Sequence, residues 1–126
     1  MQKEEYMSYK IAVASTDGKV VNQHFGKADQ FYIVEVDEES RYELVELREL
    51  PPVCQGGDHD DDAIQRNVES LSDCQYVLIS RIGQRAENEL ERRGIEAYVI
   101  PDIIEDALNK LISYVEINNM INNLAK

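Results

Sequence analysis

The sequence predicts an α/β domain built on a five-stranded mixed sheet. Three observations lead there. Apolar and β-branched runs of strand length, bounded by turn residues, recur at residues 11–14, 30–36, 42–50, 74–80 and 95–100. Apolar residues spaced three and four apart follow the third and fifth runs, as on one face of an amphipathic helix. The resulting order is β-β-β-α-β-α-β-α. Polar turns join the first three strands into an antiparallel meander, whereas the fourth and fifth follow crossover helices and run parallel to their predecessors. The second strand alone is then antiparallel to its neighbours, and strands one, three, four and five end on one common edge.

Taken in order, residues 1–8 are polar with mixed charge and are expected as a disordered extension. Ile11-Ala12-Val13-Ala14 is a buried strand closed by the turn signal Ser15-Thr16-Asp17-Gly18. Residues 30–36 are β-branched and aromatic. Residues 42–50 partly alternate, as in a strand with one wet face and a charged outer edge, and Pro51-Pro52 stops them. The acidic run Asp58, Asp60, Asp61 and Asp62 suits a helix N-terminus, and Ile64, Val68 and Leu71 form that helix's buried face. Residues 74–80 make a second buried strand, with Cys74 as a core residue. Arg81-Ile82-Gly83 turns into a helix over 84–93, closed by Gly94.

After the last strand, Asp102 and Glu105 have the spacing of a capping box. Ile104, Ala107, Leu108, Leu111, Ile112 and Val115 form a helical stripe. From Glu116 the phase changes. Ile117, Met120, Ile121 and Leu124 form a new apolar set among four asparagines. The domain is therefore expected over 9–115, with 116–126 as a C-terminal tail, helical on a partner chain or frayed.

Composition narrows the function. The chain has 126 residues and a formal charge of −12, which repels nucleic acid and anionic membranes. No stretch reaches the length of a membrane span, and the N-terminus lacks a signal-peptide pattern, so a cytoplasmic protein is expected. Two cysteines make no disulfide framework. The Gly56-Gly57 pair lacks the rest of a phosphate loop, and the aspartates lack calcium-loop spacing.

The common edge is the informative part. The loops leaving strands one, three and four carry His24, Cys54 with His59, and Arg81. Open α/β sheets bind ligands at the carboxyl ends of parallel strands. His24 sits in Val21-Asn22-Gln23-His24-Phe25-Gly26, with Lys27 beside it. A turn histidine serves as a hydrogen-bonding group or as a ligand, and the Cys54 to His59 loop as a helix cap or as a donor pair. His24, Cys54 and His59 are too few and too scattered for a closed zinc site. A cluster already ligated by its own sulfides needs only one or a few protein donors, and these residue types suit it.

Lys10 to Gly26, which ends in Val21-Asn22-Gln23-His24-Phe25-Gly26, Pro52 to Asp61 with Cys54-Gln55-Gly56-Gly57-Asp58-His59, Leu71 to Gly83, and Leu90 to Ile95 resemble, in order, motifs of the nitrogenase iron–molybdenum cofactor biosynthesis family. That family includes NifX, NafY and the C-terminal domain of NifB. The resemblance covers residues 9–112 and implies a three-layer, ribonuclease H-like α/β/α fold. It implies a non-enzymatic carrier of an iron–sulfur cluster, the iron–molybdenum cofactor or a NifB-type precursor, absent from the purified protein. It favours His24 as the metal ligand. Cys54 is a second candidate metal donor, with His59, Lys27 and Arg81 as further cofactor-binding candidates. Expected partners are the metallocluster and cofactor assembly proteins, with the chain a monomer or weak homodimer. The sequence holds no Cys-x-x-x-Cys-x-x-Cys motif, so radical chemistry of the NifB type is not expected of it.

Two other functions compete. A regulatory or scaffold module of the same fold, outside nitrogen fixation, would bind a protein through the tail. A metal-dependent nuclease would need carboxylates projecting from the strands, and Ile11-Ala12-Val13-Ala14 offers none.

Overall fold

The computed structural model describes residues 8–53 and 61–124. Strands β1 (Tyr9–Ala14), β2 (Gln30–Val36), β3 (Tyr42–Glu49), β4 (Tyr76–Ile79) and β5 (Glu96–Val99) form one sheet in the order β3-β2-β1-β4-β5. β2 is antiparallel to β1 and β3, and β1–β4 and β4–β5 are parallel pairs. The predicted directions therefore hold, and the carboxyl ends of β1, β3, β4 and β5 share one edge.

Helices α1 (Asp61–Ser70) and α2 (Gln84–Arg92) cover one face, and α3 (Ile104–Leu124) covers the other. The period of two along β1 divides its side chains between these layers. Ala12 and Ala14 face α1 and α2, where Phe25, Phe31, Leu71 and Leu90 fill the space. Ile11 and Val13 face Ala107, Leu108 and Leu111 of α3. Both faces being covered, β1 reads as a continuous apolar run. Among the described residues no helix is long and apolar enough to cross a membrane.

Local signals explain the helix ends. Gly94 takes φ of 80°, Ile95 N–H donates to the Leu90 carbonyl at 2.9 Å, and Gly94 N–H donates to Glu91 at 3.0 Å. That pairing closes α2 with the expected glycine in the left-handed conformation. Cys74 is buried beside the α1 core, as expected.

Three expectations differ from the structure. The capping box does not form. α3 starts at Ile104, whose amide donates to the Lys19 carbonyl at 2.8 Å, while the Asp102 carboxylate accepts from Ile103 N–H at 2.8 Å and Lys110 at 3.0 Å. Pairing with the 19–21 segment satisfies the first turn instead. Residues 116–124 are no separate element, because α3 runs unbroken to Leu124, although its buried side chains stop at Val115. The outer strand is not purely charged at its surface. A bulge opposite Ile33 and Val34 leaves Val45 unpaired, and Leu44, Val45 and Leu47 are exposed.

Candidate functional site

β1 ends at Ala14, and the chain then makes a hydrogen-bonded turn. The buried Ser15 hydroxyl accepts from Gly18 N–H at 3.0 Å. The Asp17 carboxylate accepts from the amides of Lys19 and Val20 at 2.9 and 3.3 Å, which hold its carboxyl below the usual carboxylate range. Gly18 has φ of 75° and lies against the Tyr32 ring, where a Cβ would come within 3.1 Å of the hydroxyl oxygen. Asn22 closes the turn, its Oδ1 accepting from Thr16 N–H at 3.0 Å and its Nδ2 donating to Thr16 Oγ1 at 2.8 Å.

The next residues are stitched to the end of β4. Ser80 N–H donates to Gln23 O at 3.0 Å, Phe25 N–H donates to Arg81 O at 2.8 Å, and His24 and Arg81 form a parallel bridge. Alternation along this extended piece sends neighbouring side chains in opposite directions. Phe25 goes inward, is 1% exposed and packs on Phe31 with ring centroids 6.0 Å apart. His24 is exposed. One 3-10 turn, Phe25–Lys27, follows and brings the exposed Lys27 to the same edge.

His24, Lys27 and Arg81 are thus brought together, as expected. Lys27 and Arg81 form no ion pair among the described residues, whereas Arg85 pairs with Asp61 at 3.1 Å. Cys54 and His59 lie outside the described residues. Val53, the residue before Cys54, is buried. It lines a cleft of about 300 Å³ with Phe25, Gly26, Ile64, Gly83 and Ala86.

The turn into α2 at Arg81-Ile82-Gly83 lies where the sequence placed it, whereas the cleft was not singled out in the sequence. Gly83 is the N-cap of α2 and no side-chain hydrogen bond caps it. The first amides of this helix therefore add positive partial charge just beyond Gly83, two residues after Arg81. The available signal for the cleft was the apolar Ile82 and Ala86 on either side of Gly83. No group of three or more His, Cys, Asp or Glu capable of holding a metal ion occurs among the described residues. Among the described residues the site offers one exposed imidazole, two cations without an ion pair, the first amides of α2 and an apolar wall. These groups suit an anionic cluster that brings most of its own ligands.

Comparison with known proteins adds to this geometry. The sequence profile of the family described as dinitrogenase iron-molybdenum cofactor matches residues 7–114. FeMo cofactor biosynthesis protein NifB of Frankia alni is 41% identical over 104 residues, covering 80% of this chain and 20% of that protein. NifB of Chlorobaculum tepidum is 38% identical over 106 residues, covering 83% of this chain and 24% of that protein. The chain therefore spans about a fifth to a quarter of the length of these relatives. The crystal structure of PH0822 superposes with a TM-score of 0.64 at 23% identity, over 82% of this chain and 90% of that one, a likeness of fold.

Proposed function

The chain belongs to the dinitrogenase iron-molybdenum cofactor family, and from that premise we propose that it is a carrier. Its cargo on this reading is an iron–sulfur cluster, the iron–molybdenum cofactor or its precursor, passed between assembly proteins without chemical change. His24 binds an iron or molybdenum atom of the cargo, and Lys27 and Arg81 offset its negative charge. Cys54 or His59 supplies a second donor. The protein works in the cytoplasm with cofactor assembly proteins as partners.

One observation carries the reading. The bridge between His24 and Arg81 pairs two residues with exposed side chains, an imidazole and a guanidinium with no ion pair among the described residues, at the carboxyl ends of β1 and β4. A histidine serving only the fold would be expected to point inward or to hold a hydrogen bond, and this one does neither among the described residues.

The test is anaerobic loading of wild type and His24→Ala with the isolated cofactor, followed by gel filtration and metal analysis. His24→Ala is expected to lose most of the bound cluster with an unchanged circular dichroism spectrum. Cys54→Ala is expected to lose less, and Arg81→Ala to weaken binding chiefly at low salt, where screening is least. Binding is expected to fall as pH is lowered, because protonation removes the imidazole lone pair the metal needs. Wild-type iron content in His24→Ala would overturn the assignment.

A further inference from the structure

α3 carries two apolar stripes that face different ways. The first, ending at Val115, is buried against the sheet. The second is Ile117, Met120, Ile121 and Leu124, which are 54%, 61%, 55% and 81% exposed. At 3.6 residues per turn the second stripe lies on nearly the opposite side of the helix from the first. The domain's own sheet therefore cannot cover it. α3 starts at the carboxyl-end edge of the sheet, so this segment points away from the His24 edge, beside the β2–β3 turn, where the Ser40 hydroxyl contacts the Glu116 carboxylate.

A second apolar surface is open on the α3 side of the sheet. Leu44 is paired with Val34 and Leu47 with Tyr32, so both share the face that carries α3. The bulge at Val45 puts these two leucines on one face, although they are three residues apart. Tyr42, two residues before Leu44 on the same strand, lines a groove of about 550 Å³ with Val20, Ile103, Ile104 and Leu108. Ile103 at its rim is 54% exposed.

We propose that these surfaces cover each other in a homodimer, the α3 end of one copy seated in the groove beside α3 and β3 of a second. Local charge permits this occupant despite the net repulsion between two copies. The chain carries −12, yet no charged residue lies between Glu116 and Lys126. Two copies meeting here bring no carboxylates together through that segment. The groove's own charged lining, Lys19 and Glu105, is balanced, so it offers no field to select a strongly basic or acidic partner. Area points the same way. A two-turn stripe alone falls short of the roughly 800 Å² per partner of a standard interface. Twofold seating uses both surfaces of both copies and is self-complementary.

Sedimentation equilibrium and light scattering test this on the full chain. Wild type is expected to show a concentration-dependent monomer–dimer equilibrium that tightens with added salt, since screening relieves the repulsion between two acidic bodies. Ile121→Glu and Leu47→Glu, both at exposed positions and each folded by circular dichroism, are each expected to weaken dimerisation at least tenfold. A wild-type chain that stays monomeric at high concentration would overturn the proposal. So would dimerisation of Ile121→Glu at wild-type strength. Loss of the dimer in Ile121→Glu with full retention in Leu47→Glu would show helix–helix pairing instead, and would overturn the groove as the seat.

Discussion

Phe25 and His24 are neighbours in sequence with opposite roles, and a pair of alanine substitutions separates them. Phe25→Ala removes a ring that is 1% exposed and packed on Phe31 at the α1 and α2 layer. Loss of a buried phenylalanine costs about 3–5 kcal/mol, depending on how far the site collapses. Here the ring borders the cleft shared with Val53, Ile64 and Ala86, so neighbours and water can reach the vacated space. The lower end, about 3 kcal/mol, is expected. With a urea slope of about 1.5 kcal/mol/M for a domain of this size, the unfolding midpoint drops by about 2 M. A total stability of about 5–15 kcal/mol leaves the variant folded in buffer. His24→Ala alters an exposed side chain and is expected to stay within about 0.5 kcal/mol of wild type. Urea titration followed by far-ultraviolet circular dichroism reads both. A Phe25→Ala midpoint within about 0.5 M of wild type would refute the view that this ring anchors the histidine turn.

Two further measurements probe the rest of the domain. Cys74 is 2% exposed and burial pushes its thiol up to about 12, so it is expected to resist a thiol reagent under native conditions and to label only on unfolding; rapid native labelling, mapped by mass spectrometry, would contradict that placement. Arg48 donates to Asp73 at 2.9 and 3.0 Å and to Glu46, and holds the Asp73 carboxyl well below its usual 3.8. Its stabilisation is thus complete above the unfolded value and lost as pH falls toward the depressed one. Asp73→Asn is expected to cost about 1 kcal/mol near neutrality, allowing for solvent screening, with a gap to wild type that narrows below about pH 4; a gap that is constant from neutral to acid pH would mean the ion pair is not its source.

Much of the fold was legible because each signal was local or followed from direction. The apolar runs located the strands, Gly94 located the end of α2, and crossover connections fixed which strand ends share an edge. That last step alone brought His24 and Arg81 together. What failed to show depended on partners distant in sequence. Asp102 and Glu105 have capping-box spacing, but Lys19 reached the helix start first. The phase change at Glu116 marks where burial stops, and by itself it could not tell a helix end from a helix that has left its sheet. The bulge at Val45 depends on register with Ile33 and Val34, which the β3 sequence alone does not contain. The cleft is assembled from Phe25, Val53, Ile64 and Ala86, and no spacing rule joins them.

Charge gives the carrier reading its physical shape. A body at −12 repels an anionic cluster at long range, while Lys27 and Arg81 attract it at contact. The long-range part is screened beyond about 8 Å at physiological salt, so the approach is only mildly opposed. The contact part is also modest, because an exposed charge pair at about 4 Å is worth on the order of 1 kcal/mol in water. On the proposed reading, retention would rest mainly on the bond to His24 and on a second donor from the Cys54 to His59 loop. A site of that kind holds its cargo less firmly than a closed shell of four protein ligands. A receiving protein with one more donor, or a more positive pocket, draws the cluster off downhill. Weak holding is what passing a cluster onward requires, and on the proposed reading a donor set of one imidazole and one loop donor would supply it.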